Sequence, residues 1–433
     1  MSGTELKRVI GLKTLTLSIV NMIVGSAIFV VPAGAARELG STAILAYLIA
    51  AALVLVVALC FAEAASRVTA TGGAYAYVDR AFGPGPGFVV ASLQWVANGI
   101  LAAAAVANAL VATLGTVAPV LGSGVPRVVL MGGVFGVLGW INVRGAESGA
   151  RAVVGFTVLK LAPLLLLLAL GLRFVEPTHL LWVDQPTIGS LGRASLLLVF
   201  ALTGMEIALT PTGEITNPSR TVPLAAVLGV STTALLYIGM HLMAQGVLGP
   251  ELARFQAAPL AEVADRVFGP AGRTLLLVAA VVSMLGYLSG DLLATPRALL
   301  ALASDGLLPA PLVRIHPRYR TPHIAIIGYV VASFALAVAG SFGQLALLNA
   351  IGVLVIYLGV VLSVFKLRRD QVRSDREPLA MPGGPLVPAV AFVMVAALLA
   401  AAPWAQQEAA IGFVAICVIA YLARRRGTRR KTD

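Results

Sequence analysis

The chain has 433 residues, of which 59% are hydrophobic and 12% charged, with a formal net charge of +12. A soluble globular protein carries roughly 25% charged residues, so the composition excludes that class. The positive charge does not mark a nucleic-acid-binding protein. Most of the 31 Lys and Arg residues sit in short segments between apolar runs, mainly on the side that holds the N-terminus. That asymmetry is the positive-inside pattern, and it predicts a plasma (inner) membrane protein with both termini cytoplasmic.

Apolar runs near the ~20 residues that cross a bilayer recur along the whole length, which predicts an all-α polytopic membrane protein. Twelve spans are predicted, near 11–36, 41–66, 87–115, 126–143, 152–172, 190–216, 223–247, 272–302, 323–340, 343–366, 384–402 and 408–423. The first residues are polar and the first run is long enough to span, so it reads as a helix and not as a cleaved signal. The connections are short, and no separate soluble domain is predicted. The segment 303–322 is basic and Pro-rich, which fits a cytoplasmic loop with a short helix. The basic cluster Arg424-Arg425-Arg426 and Arg429-Arg430-Lys431 reads as a topology anchor against anionic lipid.

The first span carries Asn21-Met22-Ile23-Val24-Gly25-Ser26-Ala27-Ile28-Phe29, with Pro32 and Gly34 beyond it. Gly25 and Ser26 at its centre predict a broken helix. Such a break is tolerated in a membrane only where it lines a cavity. The N–H groups of Ser26, Ala27 and Ile28, with the Ser26 hydroxyl, then form a positive helix end that suits a carboxylate. The same residues also fit a plain kink for close helix packing. The sixth span is interrupted in the same way, at Thr203-Gly204 and then at Pro211. Its broken end frees carbonyls near Phe200, Ala201 and Leu202, which suit an ammonium group. Five spans separate the two breaks, and an odd number reverses orientation. Paired breaks of this kind predict inverted repeats with a solute site between them. The repeats would be residues 1–172 and 190–366, with 384–433 as two added spans and a basic tail.

Several motifs resemble one family. Gly25-Ser26-Ala27-Ile28-Phe29 is similar to the Gly-Ser-Gly-Ile-Phe signature of the amino acid–polyamine–organocation superfamily. Gly72-Gly73-Ala74-Tyr75-Ala76-Tyr77 before Phe82-Gly83-Pro84 resembles its Gly-Gly-x-Tyr-x-Tyr stretch. Glu214-Ile215-Thr216-Asn217-Pro218-Ser219-Arg220 resembles its Glu-x-x-Asn-Pro-x-Arg. Arg297 with Asp305-Gly306-Leu307-Leu308-Pro309 resembles its Arg…Asp-Gly-Leu-Pro element. The resemblance covers about residues 10–325. It implies the leucine-transporter fold, amino acid transport by alternating access, and an aromatic lid at Phe200. Ala27 departs from the family, which mostly has a second Gly there, and its methyl would narrow the space for a bulky solute.

Polar residues inside spans are functional candidates by default. Lys160 lies in span 5, nine residues beyond the interfacial Arg151, or about 13 Å at helical rise. By resemblance its ammonium takes the place that a sodium ion holds in sodium-dependent relatives, where span 1 meets span 8. It would contact freed carbonyls near Met22 and Ile23 and a span-8 hydroxyl such as Ser283, and could exchange a proton. Snorkelling to the interface is the plain alternative. Glu206 follows the span-6 break and would fix the unwound backbone or carry a proton. Asp291 in span 8 and Asn98 in span 3 fall at pocket-facing register by the same resemblance; a helix–helix hydrogen bond explains either as well. Asp291 could pair with a cationic solute or with Lys160.

No cofactor or metal is expected. Cys60 and Cys417 lie far apart, and the four histidines lack ligand spacing. No phosphate-binding Gly-x-x-x-x-Gly-Lys motif occurs, so ATP is not the expected energy source, and no nucleophile motif points to an enzyme. Proton coupling or exchange is expected, and sodium coupling is not. Polyamine or organic-cation transport and a non-transporting solute sensor are the competing readings. The sequence leaves the oligomeric state open.

Overall fold

The computed structural model describes residues 10–70, 72–144, 149–183, 185–209, 215–304, 309–374, 378–379, 381 and 383–429. Pro211, Glu214, Asp305–Leu308, Arg430 and Lys431 lie outside the described residues, as do the side chains of Arg151 and Arg424–Arg426.

The described chain is helical apart from one isolated parallel β-bridge between Ile10 and Ile215. The first span is two helices, α1 (Leu12–Ile23) and α2 (Ala27–Leu39), bent by 50° at Val24–Ser26. Next come α3 (Ile44–Arg67), the short amphipathic α4 (Ala74–Phe82), and a long span made of α5 (Pro84–Leu93), a π-helical segment (Gln94–Leu101) and α6 (Ala102–Gly115). Helices α7 (Gly124–Arg144) and α8 (Gly149–Gly171) follow. The sixth predicted span is α9 (Ile188–Leu202) and the one-turn α10 (Met205–Ala208). Then come α11 (Pro218–Leu248), α12 (Pro259–Phe268), α13 (Pro270–Ser304), α14 (His323–Ala339), α15 (Phe342–Arg369), α16 (Leu386–Ala401) and α17 (Trp404–Arg429).

Among the described residues, eight helices are long and apolar enough to cross a membrane, and the bent pair makes nine. The chain is a multi-pass membrane protein. Helices α14 and α16 are apolar but shorter, at 17 and 16 residues. Two elements were not anticipated from hydropathy, α4 and α12, because both are amphipathic and, at 9 and 10 residues, too short to read as spans. Where a short helix is expected in 303–322, the described part carries a short 3₁₀ helix, Ala310–Val313.

Close packing is set by small residues. A Cβ at Gly229 on α11 would lie 2.6 Å from Ile19 of α1, and one at Gly99 would lie 2.5 Å from Thr295 of α13. These glycines let helices approach within backbone reach, the usual device where apolar lipid supplies no hydrophobic drive. Polar ties add register. Arg127 of α7 donates to Asn108 Oδ1 (2.6 Å) and to the Ala337 carbonyl (3.2 Å). Glu63 of α3 is 1% exposed and takes two bonds from Arg368 of α15, at 2.7 and 2.6 Å. Arg67 also pairs with it at 2.9 Å. On the N-terminal side, Thr216 donates to the Ile10 carbonyl through its N–H (2.9 Å) and its hydroxyl (3.0 Å).

Candidate functional site

The two breaks cross. Gly204 has φ +128°, and a Cβ on it would lie 2.9 Å from the Met22 carbonyl carbon and 3.2 Å from the Ile23 nitrogen. The break of the sixth predicted span therefore rests on the break of the first, backbone against backbone. Thr203-Gly204 supplies this because glycine alone tolerates that φ without strain and removes the side chain that would separate the two chains.

A break leaves carbonyls without helical partners. At α1 most of them are claimed by side chains from three other helices. Lys160 Nζ donates to the Asn21 carbonyl (2.8 Å) and the Val24 carbonyl (2.6 Å). The Tyr237 hydroxyl of α11 donates to the Ile23 carbonyl (3.2 Å), and the Ser283 hydroxyl of α13 to the Gly25 carbonyl (3.2 Å). Lys160 is 6% exposed and so does not snorkel. Its carbonyls are those of Asn21 and Val24, the residues on either side of Met22 and Ile23. The Ile23 carbonyl is already shared by Tyr237 and the Gly25 N–H (2.8 Å).

On the other chain, Glu206 folds back on its own break. Both carboxylate oxygens lie 3.2 Å from the Gly204 N–H, and the Tyr357 hydroxyl of α15 donates to one of them (3.1 Å). The Phe200 carbonyl is not free, since it accepts from the Thr203 hydroxyl (2.8 Å) and the Thr203 N–H (3.4 Å).

A pocket of about 450 Å³ opens at the crossing. Ten of the residues singled out from sequence line it: Ile23, Gly25, Ser26, Ala27, Asn98, Phe200, Ala201, Thr203, Gly204 and Glu206. The side chains of Ile28 and Leu202 are buried in the core and do not line it. Phe200 meets Phe342 edge to face at 5.7 Å, and Phe342 lines a larger vestibule of about 1120 Å³ beyond. An ion pair between Glu38 of α2 and Arg193 of α9 (2.8 Å) stands in that vestibule. Lys160, Ser283 and Asp291 line a separate cavity of about 670 Å³ that shares Met22, Ile207 and Tyr287 with the central pocket. Asp291 does not pair with Lys160; it accepts from Thr295 (2.6 Å) and from Tyr329.

Tyr287 and Asn349 also line the central pocket and were not anticipated. Both bond the π-helical segment. Asn349 donates to the Ala97 carbonyl (2.7 Å), and Tyr287 approaches the Asn98 carbonyl at 3.5 Å. A π turn leaves carbonyls off the regular ladder and tends to mark functional positions. Nothing in the local sequence of 94–101 announces it.

Comparison with known proteins decides the family. The amino acid permease pattern matches residues 10–423, nearly the whole chain. The chain belongs to the amino acid permease family. It is 27% identical over 399 residues to the serine/threonine exchanger SteT of Bacillus subtilis (strain 168), covering 89% of each chain. It is 30% identical over 436 residues to an uncharacterized transporter of Mycobacterium tuberculosis (strain ATCC 25618 / H37Rv), covering 98% of this chain and 93% of the other. The branched-chain amino acid permease BcaP of Bacillus subtilis (strain 168) is 25% identical over 422 residues, covering 92% and 89%. This permease is accordingly a membrane transport protein of the amino acid–polyamine–organocation superfamily and not an enzyme.

Proposed function

We propose that this permease is a secondary transporter of small neutral amino acids. It works by alternating access and is driven by a proton gradient or by exchange, without sodium. The solute carboxylate sits on the N–H groups at the start of α2, and its ammonium on the freed end of α9. Phe200, backed by Phe342, closes the pocket toward the vestibule. Twelve spans are grouped as two inverted five-span repeats, residues 1–172 and 190–366, with α16 and α17 added. Both termini face the cytoplasm of a plasma membrane, and α14 and α16 reach across with their polar flanks.

The observation that carries this reading is the Lys160 ammonium, bonded to two carbonyls of the α1 break. A fixed cation there fills the electrostatic need that a bound metal ion would otherwise meet, because helix C-terminal carbonyls attract positive charge. Glu206 is spent on the Gly204 N–H, so it holds the second break in shape. Relatives named for serine, threonine and branched-chain amino acids support a neutral solute of modest size. So does the Ala27 methyl in the pocket wall.

The test is uptake into proteoliposomes of labelled L-serine, L-threonine, L-valine and L-lysine, under imposed pH and sodium gradients and with each amino acid preloaded. Serine, threonine or valine should enter down a proton gradient or against preload, with no sodium stimulation, and Lys160→Ala should abolish the pH dependence. Sodium-stimulated uptake, or a mutant with full pH-dependent activity, refutes the coupling. Failure to take up any amino acid refutes the function.

A further inference from the structure

The cavity beside the central pocket is built by one stripe of α13. Ser283, Gly286, Gly290 and Ala294 recur at three- and four-residue steps, so they face one side of the helix. All four are small, and a Cβ on Gly290 would meet nothing within 4 Å. The stripe leaves open space where larger residues would have closed it. Its wall holds two charged groups, Lys160 and Asp291. Asp291 lies eight residues beyond Ser283, about 12 Å further along α13 at helical rise.

The two charges are differently provided for. Lys160 is bonded to the carbonyls of Asn21 and Val24. Asp291 is 9% exposed, and its partners are the hydroxyls of Thr295 and Tyr329. Hydroxyls satisfy lone pairs but supply no compensating charge. Among the described residues no cationic side chain bonds it. A buried carboxylate without a counter-charge is costly inside a membrane and marks a solute or ion path. A carboxylate has about four acceptor positions, and two hydroxyls leave some of them for a ligand. The matching ligand is a cation small enough for the cavity, and every amino acid carries one in its ammonium group.

We propose that this side cavity is a second solute station, in which Asp291 accepts the ammonium group of an amino acid that has left the crossing past Met22, Ile207 and Tyr287. The station rests on the reading that the crossing binds an amino acid. It adds a waypoint beside the crossing, in a cavity that shares no lining residue with the vestibule. Asp291 supplies the charge, Tyr329 and Thr295 are its resident hydrogen-bond donors, and the small stripe provides the room.

Alkylation of a cysteine placed in the cavity tests this. Gly290→Cys fits the space, and the native Cys60 and Cys417 are buried. The full chain in detergent is treated with N-ethylmaleimide at fixed pH, alone or with ethylamine or L-serine. With each ligand at about ten times its dissociation constant, modification should slow by about tenfold. Adding Asp291→Asn should remove the protection, while adding Tyr329→Phe, which keeps the carboxylate, should retain it. Protection that survives Asp291→Asn, or is lost in Tyr329→Phe, overturns the station. So does its absence from the Gly290→Cys parent while that protein still takes up labelled L-serine. If L-serine uptake is absent but ethylamine still protects through Asp291, the reading of the crossing fails and the cation site at Asp291 stands.

Discussion

Replacing Gly204 by Ala tests the backbone crossing directly. At φ +128° an L side chain is strained, at a cost of about 1–3 kcal/mol. The new methyl would also lie 2.9 Å from the Met22 carbonyl carbon and 3.0 Å from its oxygen. Those are backbone atoms, which cannot swing aside as a side-chain tip can, and such overpacking costs about 1–3 kcal/mol. The two terms together give about 2–6 kcal/mol. The purified variant should melt roughly 2–7 °C below the parent, on the scale that relates such energies to the unfolding entropy of a chain of this length. Uptake in proteoliposomes should fall with it, because the breaks can no longer touch. Gly136→Ala on α7 is the control, since nothing lies within 4 Å of its added Cβ. In a helix interior that change gains about 0.5–1 kcal/mol. A Gly204→Ala protein that melts and transports like Gly136→Ala would refute the crossing.

Other outcomes follow from the same geometry. Ala27→Gly should widen the set of amino acids that compete with labelled serine, and an unchanged competition profile would show that the methyl does not set pocket size. Glu63→Gln should lower the melting temperature. Breaking a buried pair costs about 3–5 kcal/mol, and the lower end applies because Arg368 is 23% and Arg67 13% exposed. Melting unchanged from the parent would exclude Glu63 as the tie between α3 and α15. Tyr357→Phe takes one donor from the buried Glu206 carboxylate and should cost about 1–3 kcal/mol in a thermal melt. A neutral effect would mean that Glu206 is satisfied without it.

The centre of the site was legible because it breaks local rules. Gly25-Ser26, Thr203-Gly204 and Lys160 are anomalies in apolar runs, and the cost of each in a bilayer requires a reason. What they touch was less legible. Lys160 was expected to meet carbonyls near Met22 and Ile23, and it meets those of Asn21 and Val24 on either side, because the place where α1 ends, within a residue or two, is fixed by packing. Tyr237, Tyr287, Asn349 and Tyr357 went unremarked because a tyrosine or asparagine in a span reads as ordinary packing. Their meeting at the crossing depends on how α11, α13 and α15 assemble. Helix α12 could have been read: Pro259 opens it and Gly269, at φ +71°, closes it. The hydropathy pattern hid it, since its apolar face is one side of a short helix.

Under the proposed alternating access, the Ile10–Ile215 bridge bears on how readily the N-terminal side can open. It joins the chain just before the first broken span to the chain just after α10, and the two bonds from Thr216 hold it. Each such bond is worth about 0.5–1.5 kcal/mol net against water. A latch of that size resists parting by about 1–3 kcal/mol, within the gap at which a second conformation is populated at roughly 0.1–10%. The vestibule side is held by a different kind of contact, an aromatic pair and the Glu38–Arg193 ion pair. Salt weakens an exposed ion pair but leaves a backbone bridge nearly untouched. Salt therefore separates these two contacts: it weakens the Glu38–Arg193 pair and leaves the Ile10–Ile215 bridge nearly as it is.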